Sequence, residues 1–174
     1  GGGIGIDYEN KNKKLNLKKY SNYINKFLKG KKSKIIFEPG RSIIGNTGIL
    51  ISKVLYIKEG YKKDFVILDA AMNDLMRPAL YNANHRIIPV TKNNYKSRKI
   101  YEFVGPICES TDKFSTIKNF QKLRENELIL ICDVGAYGMS LSSNYNLRPK
   151  PCEILINNTK IQIISKRQSL KDLI

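Results

Sequence analysis

Histidine and cysteine are scarce: one histidine in 174 residues, and three cysteines, Cys108, Cys132 and Cys152. An odd cysteine count without metal-ligand spacing, and with no second histidine, argues against both a disulfide framework and a zinc site, so no metal is expected. Free thiols suit a reducing cytoplasm. No apolar run approaches the roughly 20 residues of a membrane helix, and no membrane partner is expected. There is no internal repeat. There is also no initiator methionine and no leader ahead of Gly1-Gly2-Gly3, so the sequence reads as a fragment lacking its N-terminal part. Acidic residues are few, 15 against 31 Lys and Arg, for a net charge of +16. Such a balance raises the question of a nucleic-acid surface. The lysines, however, are scattered among asparagines and isoleucines, and the densest group (Lys29, Lys31, Lys32, Lys34) falls where a helix should end, a terminus that favours cations. No nucleic-acid partner is expected.

What is present divides the chain into two textures. Tyr20, Tyr23, Ile24, Phe27 and Leu28 recur at helical spacing before a stop at Gly30, which predicts a helix with its aromatic residues facing a core. Lys34-Ile35-Ile36-Phe37 reads as a short buried strand ending at Glu38-Pro39-Gly40-Arg41. Glycine run, helix, strand and charged loop make one αβ repeat, with ligand-facing groups after the strand, as in a (β/α)8 barrel. From Gly48 onward, strands are predicted at 49–57, 65–68, 87–90, 99–104, 128–132, 153–156 and 161–164, with a short closing helix capped by Ser169. The fold class is therefore α/β plus all-β: residues 1–47 as the last units of a barrel, and residues 48–174 as a β-barrel or sandwich domain.

Several loops carry polar groups that packing does not require. Gly105-Pro106 ends an apolar run, and the chain then presents Cys108, Glu109 and Ser110 together: a proton donor, a carboxylate for an amine, and a hydroxyl. A buried structural role for Cys108 is the plain alternative. It is the favourite for Cys132, which lies in an apolar strand, and Cys152 is left structural as well. Consecutive glycines at Gly1, Gly2 and Gly3 allow close approach to a phosphate, although such a run is as common in a tail. Arg41, fixed behind Pro39-Gly40, suits a carboxylate clamp better than a surface charge. Asp69 to Asp74 lead into Arg77-Pro78-Ala79-Leu80-Tyr81, a short helix or turn, and Tyr137 stands between Gly135-Ala136 and Gly138 on an exposed loop. His85, a lone histidine, is read as structural.

Taken in order, Gly1 to Ile6, Glu38 to Arg41, Met72 to Tyr81, Gly105 to Ser110, Asp133 to Gly138 and Ser143 to Pro149 resemble the fold-type III pyridoxal-phosphate decarboxylases, and among them the branch acting on meso-2,6-diaminopimelate. The resemblance covers essentially the whole chain. It implies the end of an alanine-racemase-like barrel followed by a β domain, and pyridoxal 5'-phosphate as cofactor. It also implies decarboxylation of meso-2,6-diaminopimelate to L-lysine and CO2, the last step of lysine biosynthesis by that route. Gly1, Gly2 and Gly3 would hold the phosphate, with Gly40, Arg41 and Tyr137 beside it. Glu38 would keep the pyridine nitrogen protonated. Arg41, Arg77 and Tyr81 would grip the distal carboxylate, with Tyr137 close to the substrate. Cys108, with Glu109 and Ser110, would reach across a homodimer interface, Cys108 as proton donor and Glu109 for the distal ammonium. The Schiff-base lysine of the family lies in early barrel strands that this sequence lacks, so the chain alone is expected to be inactive. Alternatives are a decarboxylase of another basic amino acid, as in the ornithine or arginine types, or a non-catalytic regulatory homologue.

Overall fold

The computed structural model describes residues 3–8, 11 and 15–174. After helix α1 (Leu17–Leu28) and the short α2 (Gly40–Ile44) come the strands β1 (Ile49–Lys58), β2 (Lys63–Leu68), β3 (Ile87–Pro89), β4 (Ile100–Val104), β5 (Lys113–Ile117), β6 (Leu128–Cys132), β7 (Glu153–Asn157) and β8 (Lys160–Ser165). Helix α3 (Arg77–Tyr81) lies between β2 and β3. Six strands form one mixed sheet in the order β3-β6-β1-β2-β4-β5, and β7 and β8 pair separately as a hairpin.

β1 joins the two halves of the large sheet. Its first half pairs with β6, from Ile49 opposite Cys132 to Lys53 opposite Leu128, and its second half pairs with β2, from Val54 opposite Leu68 to Lys58 opposite Phe65. A bulge between Val54 and Tyr56 separates the halves. Such an insertion bends a strand and increases its twist, which lets one strand serve two partners in a curled sheet. The inner face is closed by Val54, Val66, Leu68, Phe103, Ile129 and Ile131, all fully buried. Phe103 and Phe120 meet edge to face with ring centroids 5.2 Å apart.

Strand directions decide where the loops go. β2 and β6 both run antiparallel to β1, and β4 runs parallel to β2. The C-terminal ends of β2, β4 and β6 therefore lie at one end of the sheet, the end at which β1 begins. The segments leaving those strands (69–77, 105–112 and 133–138), together with α2 just ahead of β1, share that end.

Three expectations need correction. The 17–28 helix forms, capped by Asn16 Oδ1 accepting from Lys19 N–H at 2.9 Å, but none of its residues is buried, and Tyr23 and Phe27 are exposed. Residues 34–37 form no strand and Ile36 is 85% exposed. A barrel-type strand needs neighbours for its backbone groups, and the described residues supply none beside it. Finally, Lys113 to Ile117 do form a strand, β5. Its alternation is carried by Phe114 against Ser115 and Thr116, too short and too polar to stand out in the sequence. The closing segment is a 3-10 turn, Leu170–Leu173, with Ser169 and Asp172 forming a reciprocal capping box. No described helix is long and apolar enough to cross a membrane.

Candidate active site

The thiol loop is the β4–β5 connection, and a buried carboxylate builds it. Asp112 Oδ2 accepts from Ile107 N–H at 2.8 Å, and its Oδ1 accepts from Met72 N–H at 2.7 Å, so the loop is tied to the segment leaving β2. The Gly105 N–H donates to the Asp112 carbonyl at 3.0 Å. A Cβ at position 105 would run into the Asp112 carboxylate, which is why glycine opens this loop. Burial pushes the Asp112 carboxyl above its ordinary range, while the Ile107 and Met72 N–H groups and the Arg148 charge pull it back. Above this anchor, Cys108, Glu109 and Ser110 are all exposed. Among the described residues, no hydrogen bond or ion pair joins them to Arg41, Arg77 or Tyr137.

Arg148 extends the same support. Its Nε donates to Asn73 Oδ1 at 3.0 Å, its Nη2 donates to the Asp69 carbonyl, and it lies 3.9 Å from Asp74 Oδ2. Asn73 in turn donates to the Ser143 carbonyl at 3.2 Å. The segments 69–77, 105–112 and 143–148, far apart in sequence, thus form one hydrogen-bonded block. Burial also raises the Asp74 carboxyl.

A second group of side chains surrounds Arg77, which is 6% exposed at the start of α3. Its Nη1 donates to Tyr8 Oη at 2.9 Å and to His85 Nε2 at 3.0 Å. His85 Nδ1 lies 2.9 Å from the Cys132 carbonyl. A carbonyl only accepts and a guanidinium only donates, so the proton of the neutral ring sits on Nδ1. Burial and the neighbouring Arg77 charge hold His85 below the usual histidine range, partly offset by the Cys132 bond and Asp133. Tyr81, at the other end of α3, is exposed.

The third group lies where β6 ends beside the start of β1. Gly135 N–H donates to the Gly45 carbonyl at 3.0 Å, and a Cβ on Gly135 would strike the Ile44 carbonyl, so the 133–138 loop packs directly on the end of α2. Tyr137 is held at φ 62, outside the usual range of a residue with a side chain, and is 45% exposed. Strained, exposed backbone of this kind is typical of functional loops. Arg41 lies 5.5 Å from the centre of the Tyr137 ring. Gly3 has φ +63, and neither Gly3 nor Gly40 has any neighbour within 4 Å of a Cβ, so a ligand can approach both closely, although the Gly40 N–H already donates to the Glu38 carbonyl at 2.9 Å. Gly1 and Gly2 lie outside the described residues. Backbone amides, a guanidinium and a phenol form a donor set that fits a phosphate ester.

The structure thus joins Arg41 to Tyr137, seats Arg77 in a cage of its own, and leaves the thiol loop apart. Sequence reasoning gave no role to Tyr8, Asp112 or Arg148, and it read His85 as structural, in keeping with its burial. A lone histidine eight residues after an arginine was the available signal for the Arg77 pairing.

Residues 11–135 match the family model of the pyridoxal-dependent decarboxylase C-terminal sheet domain. A diaminopimelate decarboxylase of Aquifex aeolicus is 41% identical over 97% of this chain and 40% of its own length. One of Helicobacter pylori is 44% identical over 99% of this chain and 42% of its own length. The crystal structure of diaminopimelate decarboxylase from Helicobacter pylori complexed with L-lysine superposes with a TM-score of 0.88 at 44% identity, covering 99% of this chain and 42% of that one. The chain therefore spans about two fifths of the length of these relatives.

Proposed function

The chain belongs to the pyridoxal-dependent decarboxylases, and from that premise we propose that it is the C-terminal part of an enzyme converting meso-2,6-diaminopimelate to L-lysine and CO2. The observation carrying this reading is the convergence, at one sheet end, of loops bearing a phosphate-type donor set and two arginines. The resemblance to relatives named diaminopimelate decarboxylase over nearly the whole chain supports it. The remaining length of those relatives leaves room for an N-terminal barrel, to which residues 1–47 would contribute the last units and residues 48–174 the β domain.

Pyridoxal phosphate, when bound, supplies an electron sink for the charge left on carbon as CO2 departs. The residues here divide the remaining work. Gly1, Gly2 and Gly3 would offer backbone N–H groups to the phosphate, with Gly40, Arg41 and Tyr137 alongside. Glu38 holds the proton on the ring nitrogen. Arg41, Arg77 and Tyr81 hold the distal carboxylate, for which a planar guanidinium fork is the matching shape. Glu109, with Ser110, takes the distal ammonium, and Cys108 Sγ–H gives a proton to the carbon that lost CO2. In the family this chain resembles, the loop serves the site of a second copy in a homodimer, and the exposure of Cys108 to Ser110 fits that arrangement.

The test is CO2 release by the full-length protein, supplied with pyridoxal phosphate, from diaminopimelate, ornithine and arginine. The reading requires strong preference for diaminopimelate. Arg77→Ala should abolish that preference without harming any residual turnover of ornithine. Equal turnover of all three substrates by the wild type would refute it.

A further inference from the structure

Resting on the reading of Arg77 as a substrate carboxylate clamp, we propose that Tyr8 and His85 are positioning residues that fix which edge of Arg77 meets the substrate. Both hydrogens of Nη1 are committed, one to Tyr8 Oη at 2.9 Å and one to His85 Nε2 at 3.0 Å. The Tyr8 ring supports the pair from the side, 5.0 Å from the guanidinium carbon and 5.3 Å edge-on from the His85 ring. His85 is 1% exposed and anchored to the Cys132 carbonyl, so this acceptor cannot drift. Nε and Nη2 of Arg77 have no partner among the described residues. No buried side-chain nitrogen or oxygen there lacks one, so these two nitrogens reach solvent. Together they form the side-on fork that takes a carboxylate in two parallel bonds. A rotated guanidinium would offer a different edge and lose one of them.

The arrangement also depends on His85 being neutral. Protonation of Nε2 would replace an acceptor with a donor facing Arg77 and set two cations together. The charged and titratable groups facing His85 are Arg77 from α3, Asp133 after β6 and Tyr8 from the N-terminal segment. The Cys132 carbonyl and Asp133 favour the imidazolium, and burial and Arg77 oppose it.

The experiment compares His85→Asn, His85→Gln, Tyr8→Phe and Arg77→Ala in the full-length enzyme, with melting temperatures recorded for each. Asparagine retains a donor for the Cys132 carbonyl but reaches no further. Glutamine places an acceptor near the position of Nε2. His85→Asn is expected to raise the KM for diaminopimelate and the Ki of L-lysine about tenfold, the loss of one bond to a charged group, with kcat within about twofold. The Ki of 1,5-diaminopentane, which has no carboxylate, should not move, and Tyr8→Phe should give a smaller rise of the same kind. The wild type is expected to show a rise in KM as pH falls below the ordinary histidine range, and His85→Gln should restore both constants and remove that rise. If Arg77→Ala raises the constants while His85→Asn does not, positioning is refuted and the clamp stands. Positioning is equally refuted if His85→Asn weakens diaminopentane as much as lysine, or if glutamine fails to rescue. If Arg77→Ala itself changes nothing, the clamp reading falls and takes this proposal with it.

Discussion

The arginine cage and the thiol loop solve one problem in opposite ways. Both present reactive groups from the same end of the sheet, and both rest on a buried polar residue. Around Arg77 the support is neutral, His85 and Tyr8, and the charged group is itself sunk into the fold. In the 105–112 loop the charge is in the support, Asp112, and the reactive groups stand clear of it. A sunken cation with part of its fork still open suits a ligand held inside this chain's own walls. A thiol on an exposed loop, rigid at its base and unconnected at its tip, suits a ligand held by another copy. On the proposed homodimeric reading, the cage serves its own site and the thiol loop is lent.

The comparison can be sharpened by removing each part in turn. The largest effect is expected at the tip of the thiol loop. Cys108→Ala should lower kcat by about 10²-fold or more, the scale of losing a positioned general acid, with KM within about threefold. Steady-state kinetics on the full-length protein measures both, and a large KM effect with normal kcat would make the thiol a binding group. Next comes the cage: Arg77→Ala should cost about 1.5–3 kcal/mol in kcat/KM for diaminopimelate, the value of charge-assisted bonds to a carboxylate. The base of the thiol loop should show in stability. Asp112→Asn keeps one acceptor where two N–H groups need one each, and is expected to destabilise by about 1–3 kcal/mol in denaturant unfolding. An unchanged midpoint would mean the carboxylate is not what holds the loop.

The smallest effect is a pH dependence. His85 has its folded-state value held below the usual one, so the unfolded chain takes up a proton before the folded chain does. Stability from this group is fully present above the ordinary histidine pKa and is lost as pH falls through the folded value. Thermal unfolding of wild type and His85→Gln across mildly acid pH should show a shallower decline in the variant. Parallel curves would contradict this.

The strands of the main sheet were legible because β-branched residues cluster in short runs between turn signals. β5 was not, because Ser115 and Thr116 blur its alternation. Residues 34–37 look like a strand in sequence and form none here, since composition reports what a segment could pair with and not whether a partner is at hand. The same holds for α1, whose aromatic spacing gave a helix correctly but whose apolar face is only partly covered in this chain, with Tyr20, Ile24 and Leu28 half-buried and Tyr23 and Phe27 exposed. At the site, the motif residues stand out because cysteine, glutamate and arginine beside Gly-Pro are unusual. Their supports do not. Asp112 is one aspartate among several, and nothing local in the sequence ties it to Met72, forty residues earlier. His85 pairs with Arg77 only once β6 brings the Cys132 carbonyl beneath it.

The central claim, that the cage and the thiol loop complete one another across two copies, is tested most directly by mixing two impaired variants. Full-length Cys108→Ala and Arg77→Ala proteins would each retain less than about a tenth of the wild-type kcat/KM on diaminopimelate alone. Unfolded and refolded together, they should recover about a quarter of wild-type activity, because half of randomly paired dimers would be mixed and each would contain one intact site. No recovery, with mixed dimers demonstrated by differently tagged subunits, would place both groups in a site made by a single copy.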